Sequence, residues 1–140
     1  LLQTQHLVKS YQRGDQRVDA LKGVSLSIPR GQFATIMGPS GSGKSTLLHL
    51  IGGLDRPSQG SVTIDGQALE KFSDPDLSAF RRRKLGFIFQ FFNLLPNLSA
   101  LENVALPLLL DGQTLASVRP RAMELLTGMG LAARAEHQIT

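Results

Sequence analysis

A run of glycines and hydroxyl residues that ends in lysine and serine occupies positions 38–45 and reads GPSGSGKS. It fits the spacing G-x-x-x-x-G-K-S/T, in which glycines let the backbone bend until consecutive N–H groups point into one concave nest. Such a nest binds anions, and a helix that begins near Lys44 would add the positive end of its dipole. The run therefore predicts a site for a triphosphate.

The side chains of this loop have distinct chemical roles in that prediction. Lys44 would reach the β- and γ-phosphates as a point charge, Ser45 would offer a hydroxyl to Mg²⁺, and Thr46 would offer one to the α-phosphate. The expected nucleotide-binding residues here are Gly38, Pro39, Ser40, Gly41, Ser42, Gly43, Lys44, Ser45 and Thr46. A glycine-rich turn that binds nothing is the alternative, and it does not account for a Gly-Lys-Ser run in this context.

The elements around the loop indicate a mixed fold. The segment 32–37 (QFATIM) is short, apolar and β-branched, which predicts a buried strand, and Lys44–Ile51 has leucines at helical spacing, which predicts a helix ended by Gly52-Gly53. Further strands are predicted over Gln5–Tyr11, Val18–Ile28, Gly60–Ile64 and Gly86–Gln90. Further helices are predicted over Asp74–Lys84, from Ser99 through Ala105, and over Ala116–Met129. Strands mixed with helices indicate an α/β or α+β class.

Local signals predict where several of these elements begin and end. Asp74-Pro75 has an N-cap residue followed by a proline at the first helical position, and Ser99-x-x-Glu102 has the pattern of a capping box. Pro107 is expected to kink or end its helix, and Gly130 to cap the last one. Asp65-Gly66 predicts a hairpin turn after its strand.

Composition excludes several classes of site. The chain has 140 residues, which is one domain or part of one, and 41% of them are hydrophobic. It has no cysteine, which excludes disulfides, zinc thiolates and cysteine nucleophiles, and its three histidines lack metal-site spacing. The longest apolar stretch, near Val104–Leu110, is far shorter than the ~20 residues of a membrane span. Because the N-terminus shows no signal-peptide pattern, we expect a soluble chain in a reducing compartment.

The chain is mildly basic, with a formal net charge of +4. That charge is compatible with a phosphate ligand, nucleic acid or an anionic lipid surface. Much of it lies in Arg81–Lys84, for which the simplest interpretation is a solvated helix end that offsets the helix dipole. Without interleaved aromatic residues, this run does not predict a nucleic-acid partner.

Several segments beside the phosphate loop resemble the ATP-binding-cassette (ABC) transporter ATPase, and the resemblance covers essentially the whole chain. The resemblance rests on the segments Leu21–Gly31, Gly52–Gly60, the hairpin Ser61–Gly66 and Gly86–Gln90. The resemblance implies an α/β P-loop NTPase core with an N-terminal antiparallel β subdomain and the start of a helical subdomain, truncated. On this basis residues 1–90 form the β subdomain and core, and residues 91–140 begin the helical part.

The same resemblance implies roles for three further parts of the sequence. Tyr11 lies at the family's aromatic position that stacks on adenine, although a strand aromatic packed in the core is the alternative. Gln90 would be the glutamine that touches Mg²⁺ and the attacking water, so that Lys44 and Gln90 are the catalytic candidates. The segment Gln90–Pro96 would face the coupling helix of a membrane permease, with ordinary packing as the alternative.

The run Phe92–Leu108 is similar to a subgroup that drives lipoprotein release, macrolide or antimicrobial-peptide export, and cell-division complexes. The resemblance implies an ATP-binding subunit that binds ATP and ADP, pairs with a second ATPase subunit, and couples to a permease in export or extraction. Such a subunit would lie peripherally on the cytoplasmic face of the inner membrane. A cell-division-type scaffold module without transport is one alternative, and a kinase with Arg81–Arg83 as its lid is another.

Parts of the ABC pattern are absent from these residues. There is no Leu-Ser-Gly-Gly signature and no apolar strand that ends in Asp-Glu, and His137 precedes the region where the family has its switch histidine. We therefore expect an N-terminal fragment that is an ATPase only as part of the intact domain. We also expect the strand at 32–37 to lack a ladder partner, so that these residues fold poorly, oligomerise or belong to a larger chain.

Overall fold

A computed structural model describes residues 1–138 and divides the chain into two compact units, Leu1–Leu85 and Gly86–Thr140. The first unit contains the strands β1 (Leu2–Arg13), β2 (Gln16–Ile28), β3 (Gln59–Ile64) and β4 (Gln67–Ala68) and the helices α1 (Lys44–Ile51) and α2 (Asp74–Lys84). The second unit contains the helices α3 (Ala100–Leu110) and α4 (Leu115–Gly128). Short 3₁₀ turns occupy Leu69–Lys71 and Ala132–Arg134.

The four strands form one antiparallel sheet in the order β2-β1-β3-β4. The turn between β3 and β4 is the predicted Asp65-Gly66 pair, whose φ angles of 48° and 78° are those of a tight hairpin turn. An antiparallel hairpin of this kind requires positive φ at both central positions, which asparagine, aspartate and glycine tolerate best. The hairpin prediction is confirmed.

Pairing between β1 and β2 is irregular, and a buried threonine fills the first irregularity. Thr4 pairs with Leu26, and the next pair is Leu7 with Val24, so β1 has an extra residue there. The Thr4 hydroxyl donates to the Val24 carbonyl at 3.1 Å and accepts from the Leu26 N–H at 3.1 Å. These bonds satisfy backbone groups that would otherwise lose their ladder partners.

The core of the first unit lies between the sheet and the two helices. Its buried residues come from three strands, both helices and the 3₁₀ turn: Leu7, Leu21, Val62, Ile64, Leu47, Leu50, Leu77, Phe80 and Leu69. Apolar residues at helical spacing on α1 therefore bury one stripe, as the sequence predicts, and the helix ends at Gly52. This packing holds α1, and with it the loop that precedes α1, against the sheet.

The second unit is built on the pair α3 and α4, whose small and branched residues share a core. The predicted capping box is confirmed: the Ser99 hydroxyl accepts from the Glu102 N–H at 3.2 Å, and the Glu102 carboxylate accepts from the Ser99 N–H at 2.8 Å. The expectation that Pro107 ends its helix is wrong, because α3 continues through it to Leu110, while a kink at Pro107 stays a prediction. Packing on both sides of the proline, at Ala105 and Leu109, outweighs one lost backbone hydrogen bond.

Three further sequence expectations need correction. The cap of α2 is Ser73 rather than Asp74, because the Ser73 hydroxyl accepts from the Asp76 N–H at 3.3 Å. Within the described residues, the segments 32–37 and Gly86–Gln90 pair with no other strand. Their apolar composition indicated burial, but a strand also needs a neighbour for its backbone groups. Phe33, at 96% exposure, therefore lies open to solvent.

Candidate functional site

The glycine-rich loop leads directly into α1, and its last glycine is the N-cap of that helix. Gly43 has a φ of 89°, and the first helical bond joins the Leu47 N–H to the Gly43 carbonyl at 2.8 Å. The N–H groups of Lys44, Ser45 and Thr46 come before that bond, so the helix itself gives them no acceptor. The first turn of α1 carries no acidic side chain. This helix end therefore presents backbone donors and a positive dipole to an anion.

The loop is fixed in place by a close approach between Gly43 and β2. Lys9 pairs with Leu21 and Ser10 pairs with Asp19, so Ala20 is an extra residue, a bulge, in β2. A Cβ on Gly43 would lie 2.6 Å from the Ala20 carbonyl oxygen, which no side chain can tolerate. Two independent constraints thus require glycine at this position: the positive φ angle and the lack of space for a Cβ.

The Lys44 ammonium lies against the loop. Its Nζ donates to the carbonyl oxygens of Gly38 at 2.8 Å and Pro39 at 2.7 Å. A turn bond from the Ser42 N–H to the Pro39 carbonyl, at 3.3 Å, closes the same bend. The positive charge is therefore held at the loop by acceptors of the backbone, where a phosphate oxygen could replace them.

The remaining loop residues are accessible. Gly38, Pro39, Ser40, Gly41, Ser42 and Ser45 are exposed, and Thr46 is half-buried. Gly41 has a φ of 79° and open space around its missing side chain. The Ser45 hydroxyl therefore lies at a surface that solvent, a metal ion or a phosphate can reach.

Tyr11 lies on β1 of the same unit and pairs with β2, the strand that Gly43 of the loop approaches. It pairs with Val18, two positions from the bulge residue Ala20 that Gly43 contacts. The residue is 40% exposed, which differs from the alternative of a strand aromatic packed in the core. The phenol and the phosphate loop therefore both border one short stretch of β2.

Two side chains that the sequence analysis did not single out hold Tyr11. The Tyr11 hydroxyl donates to the Asp55 carboxylate at 3.1 Å, and Lys9 Nζ donates to the other oxygen of that carboxylate at 2.7 Å. Burial acts to raise the pKa of Asp55, but the hydrogen bonds from Lys9, the Arg56 amide and Tyr11 outweigh it and lower that pKa below its ordinary value. Asp55 is therefore a carboxylate at neutral pH. The only signal in the sequence was the i, i+2 spacing of Lys9 and Tyr11, which places them on one face of a strand.

Gln90 belongs to the second unit and lies exposed in a turn after residues 86–89. The aromatic residues before it, Phe87 and Phe89, stack with ring centroids 5.5 Å apart. After it, Phe92 and Asn93 have φ angles of 55° and 53°, a conformation that is strained for a bulky side chain. The structure thus keeps Gln90 within a tightly bent, solvent-accessible loop.

The loop that follows Gln90 is held by one amide side chain of α3. Asn103 Nδ2 donates to the carbonyls of Leu95 and Ser99, each at 3.0 Å, and its Oδ1 accepts from the Leu95 N–H at 2.8 Å. The apolar side chains of this loop nevertheless remain exposed: Phe91, Phe92, Leu94 and Leu95. A fixed loop with an apolar surface is typical of a contact region for a protein partner.

Comparison with known proteins agrees with this arrangement. The sequence profile described as "ABC transporter" matches residues 21–140. The chain belongs to the ABC transporter family. It is 50% identical, over 136 residues, to the lipoprotein-releasing system ATP-binding proteins LolD of Bordetella pertussis and Bordetella parapertussis. That alignment covers 97% of this chain and 59% of each relative, so the chain spans about three-fifths of their length.

Solved structures of an ABC cassette share the fold. Dimeric structures of MJ0796, one of them in a post-hydrolysis state bound to ADP and Pi, match with a TM-score of 0.89 and 44% identity. The match covers 99% of this chain and 61% of the MJ0796 chain. The expected α/β fold of a P-loop NTPase core, with an antiparallel β subdomain and the start of a helical one, is confirmed. Among residues 1–138, no helix is both long enough and apolar enough to span a bilayer.

Proposed function

We propose that this chain is the nucleotide-binding portion of an ABC transporter ATP-binding subunit of the lipoprotein-release type, and that it binds Mg-ATP at residues 38–46. One observation carries the proposal. Gly43 is fixed on the β2 bulge with a φ of 89° and caps α1, so that the N–H groups of the first turn, which have no acceptor within the helix, follow directly after the loop. A preorganised set of donors beside a lysine is what a triphosphate requires.

Each residue of the site has a proposed part in binding. The Lys44 ammonium would exchange the Gly38 and Pro39 carbonyls for phosphate oxygens, which are stronger acceptors because they are charged. Mg²⁺, when bound, supplies charge neutralisation at the phosphates. The exposed Ser45 hydroxyl and the Gln90 amide oxygen are suitable hard ligands for it. Tyr11 would stack on the adenine base with its open ring surface.

The proposed role in transport depends on two surfaces. The dimeric form of MJ0796 supports a dimer of two ATPase subunits as the working state of the intact protein. The exposed apolar residues that follow Gln90 support docking of a membrane permease on the Gln90–Pro96 segment. ATP binding would close the dimer and hydrolysis would reopen it, at the cytoplasmic face of the inner membrane. Export or extraction of a lipoprotein or peptide is the proposed direction.

Calorimetry with Mg-ATP tests the site directly. We expect heat of binding for the wild-type chain and a loss of affinity of about tenfold or more for Lys44→Ala, because hydrogen bonds to charged groups contribute about 1.5–3 kcal/mol. Lys71→Ala is the matched control, since Lys71 is an exposed lysine of the same unit outside the loop. A folded wild type that gives no heat, or equal affinity of Lys44→Ala and wild type, would refute the proposal.

Hydrolysis is a separate question from binding. Because the sequence contains neither an Asp-Glu pair nor a Leu-Ser-Gly-Gly signature, we expect no turnover above the residual level of the loop. Phosphate release by the purified chain measures this. Robust turnover that Lys44→Ala abolishes would contradict it.

Co-purification with a membrane permease that has several spans would favour the transport role over the alternative of a scaffold module.

A further inference from the structure

Tyr11 is held by a charged pair that comes from two distant parts of the chain. Lys9 Nζ lies 5.0 Å from the centroid of the Tyr11 ring, within the range of a cation–π contact. Asp55 accepts hydrogen bonds from the Tyr11 hydroxyl with one oxygen and from Lys9 with the other. The ring is thus fixed at its hydroxyl and at one of its faces.

The charged pair is itself well anchored. Lys9 also donates to the Arg56 carbonyl at 2.8 Å, and only 12% of its side chain is exposed. Asp55 accepts from its neighbour's N–H, that of Arg56, at 2.7 Å. A long lysine side chain in a single buried geometry loses little additional entropy when a ligand binds.

Asp55 also connects Tyr11 to the helix that carries the phosphate loop. The N–H of Leu54, the preceding residue, donates at 2.8 Å to the His49 carbonyl in the last turn of α1. One helix therefore begins at the phosphate loop and is hydrogen-bonded, in its last turn, to the segment that carries Asp55. The two ends of a nucleotide would be bound by groups fixed to opposite ends of α1.

We propose that Asp55 and Lys9 are positioning residues that hold the Tyr11 ring in the orientation that receives a purine base. The inference rests on the proposed nucleotide site and adds two residues to it. Neither residue belongs to the phosphate loop at 38–46, so their contribution should depend on whether the ligand has a base. An orientation fixed before binding raises affinity because less freedom is lost when the base stacks.

The test compares a ligand that has a base with one that lacks it. Equilibrium dissociation constants are measured for Mg-ATP and for magnesium with inorganic triphosphate, using wild type, Asp55→Asn and Lys9→Met. Asp65→Asn is the matched control: Asp65 pairs with Arg30 at 2.6 Å, its side chain is 37% exposed against 32% for Asp55, and the same charge is removed. Thermal melts by circular dichroism establish that each variant is folded.

A spectroscopic readout follows from the composition. Tyr11 is the only tyrosine and the chain has no tryptophan, so ultraviolet emission comes from this ring when the excitation wavelength is longer than those that phenylalanine absorbs. A carboxylate that accepts the phenol hydrogen bond quenches tyrosine emission, and a stacked base quenches it further. We expect Asp55→Asn to brighten the free protein, Mg-ATP to quench wild type, and triphosphate to leave the emission unchanged.

For affinity, we expect Asp55→Asn and Lys9→Met to weaken the binding of Mg-ATP by about tenfold, the lower end of the effect of one charge-assisted hydrogen bond, and to leave the binding of triphosphate unchanged. If the substitutions weaken the binding of Mg-ATP and of triphosphate equally, Asp55 is a purely structural residue. If they weaken the binding of neither ligand, Tyr11 needs no support. Both results overturn the inference. If wild type binds triphosphate and Mg-ATP equally without quenching, the inference fails while the phosphate site stands. If folded wild type binds neither, the proposed function itself fails.

Discussion

The close approach of Gly43 to β2 gives the sharpest prediction about stability. Gly43→Ala places a Cβ 2.6 Å from the Ala20 carbonyl oxygen and forces alanine to adopt a φ of 89°. The conformation alone costs about 1–2 kcal/mol for a residue with a side chain. Overpacking against a backbone atom that cannot rotate away adds about 1–3 kcal/mol. We therefore expect Gly43→Ala to lower the free energy of unfolding by about 2–5 kcal/mol.

Gly41→Ala separates the two causes. Gly41 has a similar φ of 79°, but nothing lies within 4 Å of the Cβ that the substitution adds. It should therefore lower the unfolding free energy by only about 1–2 kcal/mol.

Urea unfolding followed by far-ultraviolet circular dichroism measures both values, provided that the slope with urea stays constant. Equal losses in the two variants, or a smaller loss for Gly43→Ala, would refute the reasoning that the bulge carbonyl fixes the loop.

Contacts in the structure lead to three more predictions. Ser99→Ala should lower the unfolding free energy by about 1 kcal/mol, because α3 loses the cap bond to the Glu102 N–H; urea unfolding measures it, and an unchanged midpoint would contradict it. The lowered pKa of Asp55 means that its carboxylate stabilises the fold above its unfolded pKa of about 3.9, and that this contribution is lost as the pH falls through the lower folded pKa. Wild type should therefore exceed Asp55→Asn in stability at neutral pH and lose that advantage in acid, whereas a gap that persists at about pH 2 would count against this. Phe33→Lys should increase the monomer fraction in sedimentation velocity, because we expect the unpaired backbone and the exposed Phe33 of segment 32–37 to favour association between copies; an unchanged distribution would show that this segment does not associate.

Features encoded by neighbouring residues could be predicted from the sequence. The glycine loop, the start and end of α1, the Asp65-Gly66 hairpin and the Ser99 capping box each depend on residues within a few positions of one another. Their physical causes are backbone conformation and local hydrogen bonds, which residue type largely determines. The misplaced cap of α2, at Ser73 rather than Asp74, shows the limit of that resolution, because both residue types cap well.

Features that depend on distant partners could not be predicted. The segment 32–37 has the composition of a buried strand, but composition does not say whether a neighbouring strand is present. The contact between Tyr11 and Asp55 joins residues 44 positions apart, and no local pattern marks it. The helix through Pro107 likewise persists because of packing against α4, which proline's own preferences do not reveal.

The buried hydroxyl of Thr4 has a consequence beyond its own strand pair. Because it forms hydrogen bonds with both Val24 and Leu26, it favours a single alignment of β1 against β2. A slip of one position would carry Lys9 and Tyr11 through the sheet to the side away from Asp55, because successive side chains alternate. A small polar group near one end of the hairpin thus determines the face of the sheet on which the aromatic ring near the other end lies.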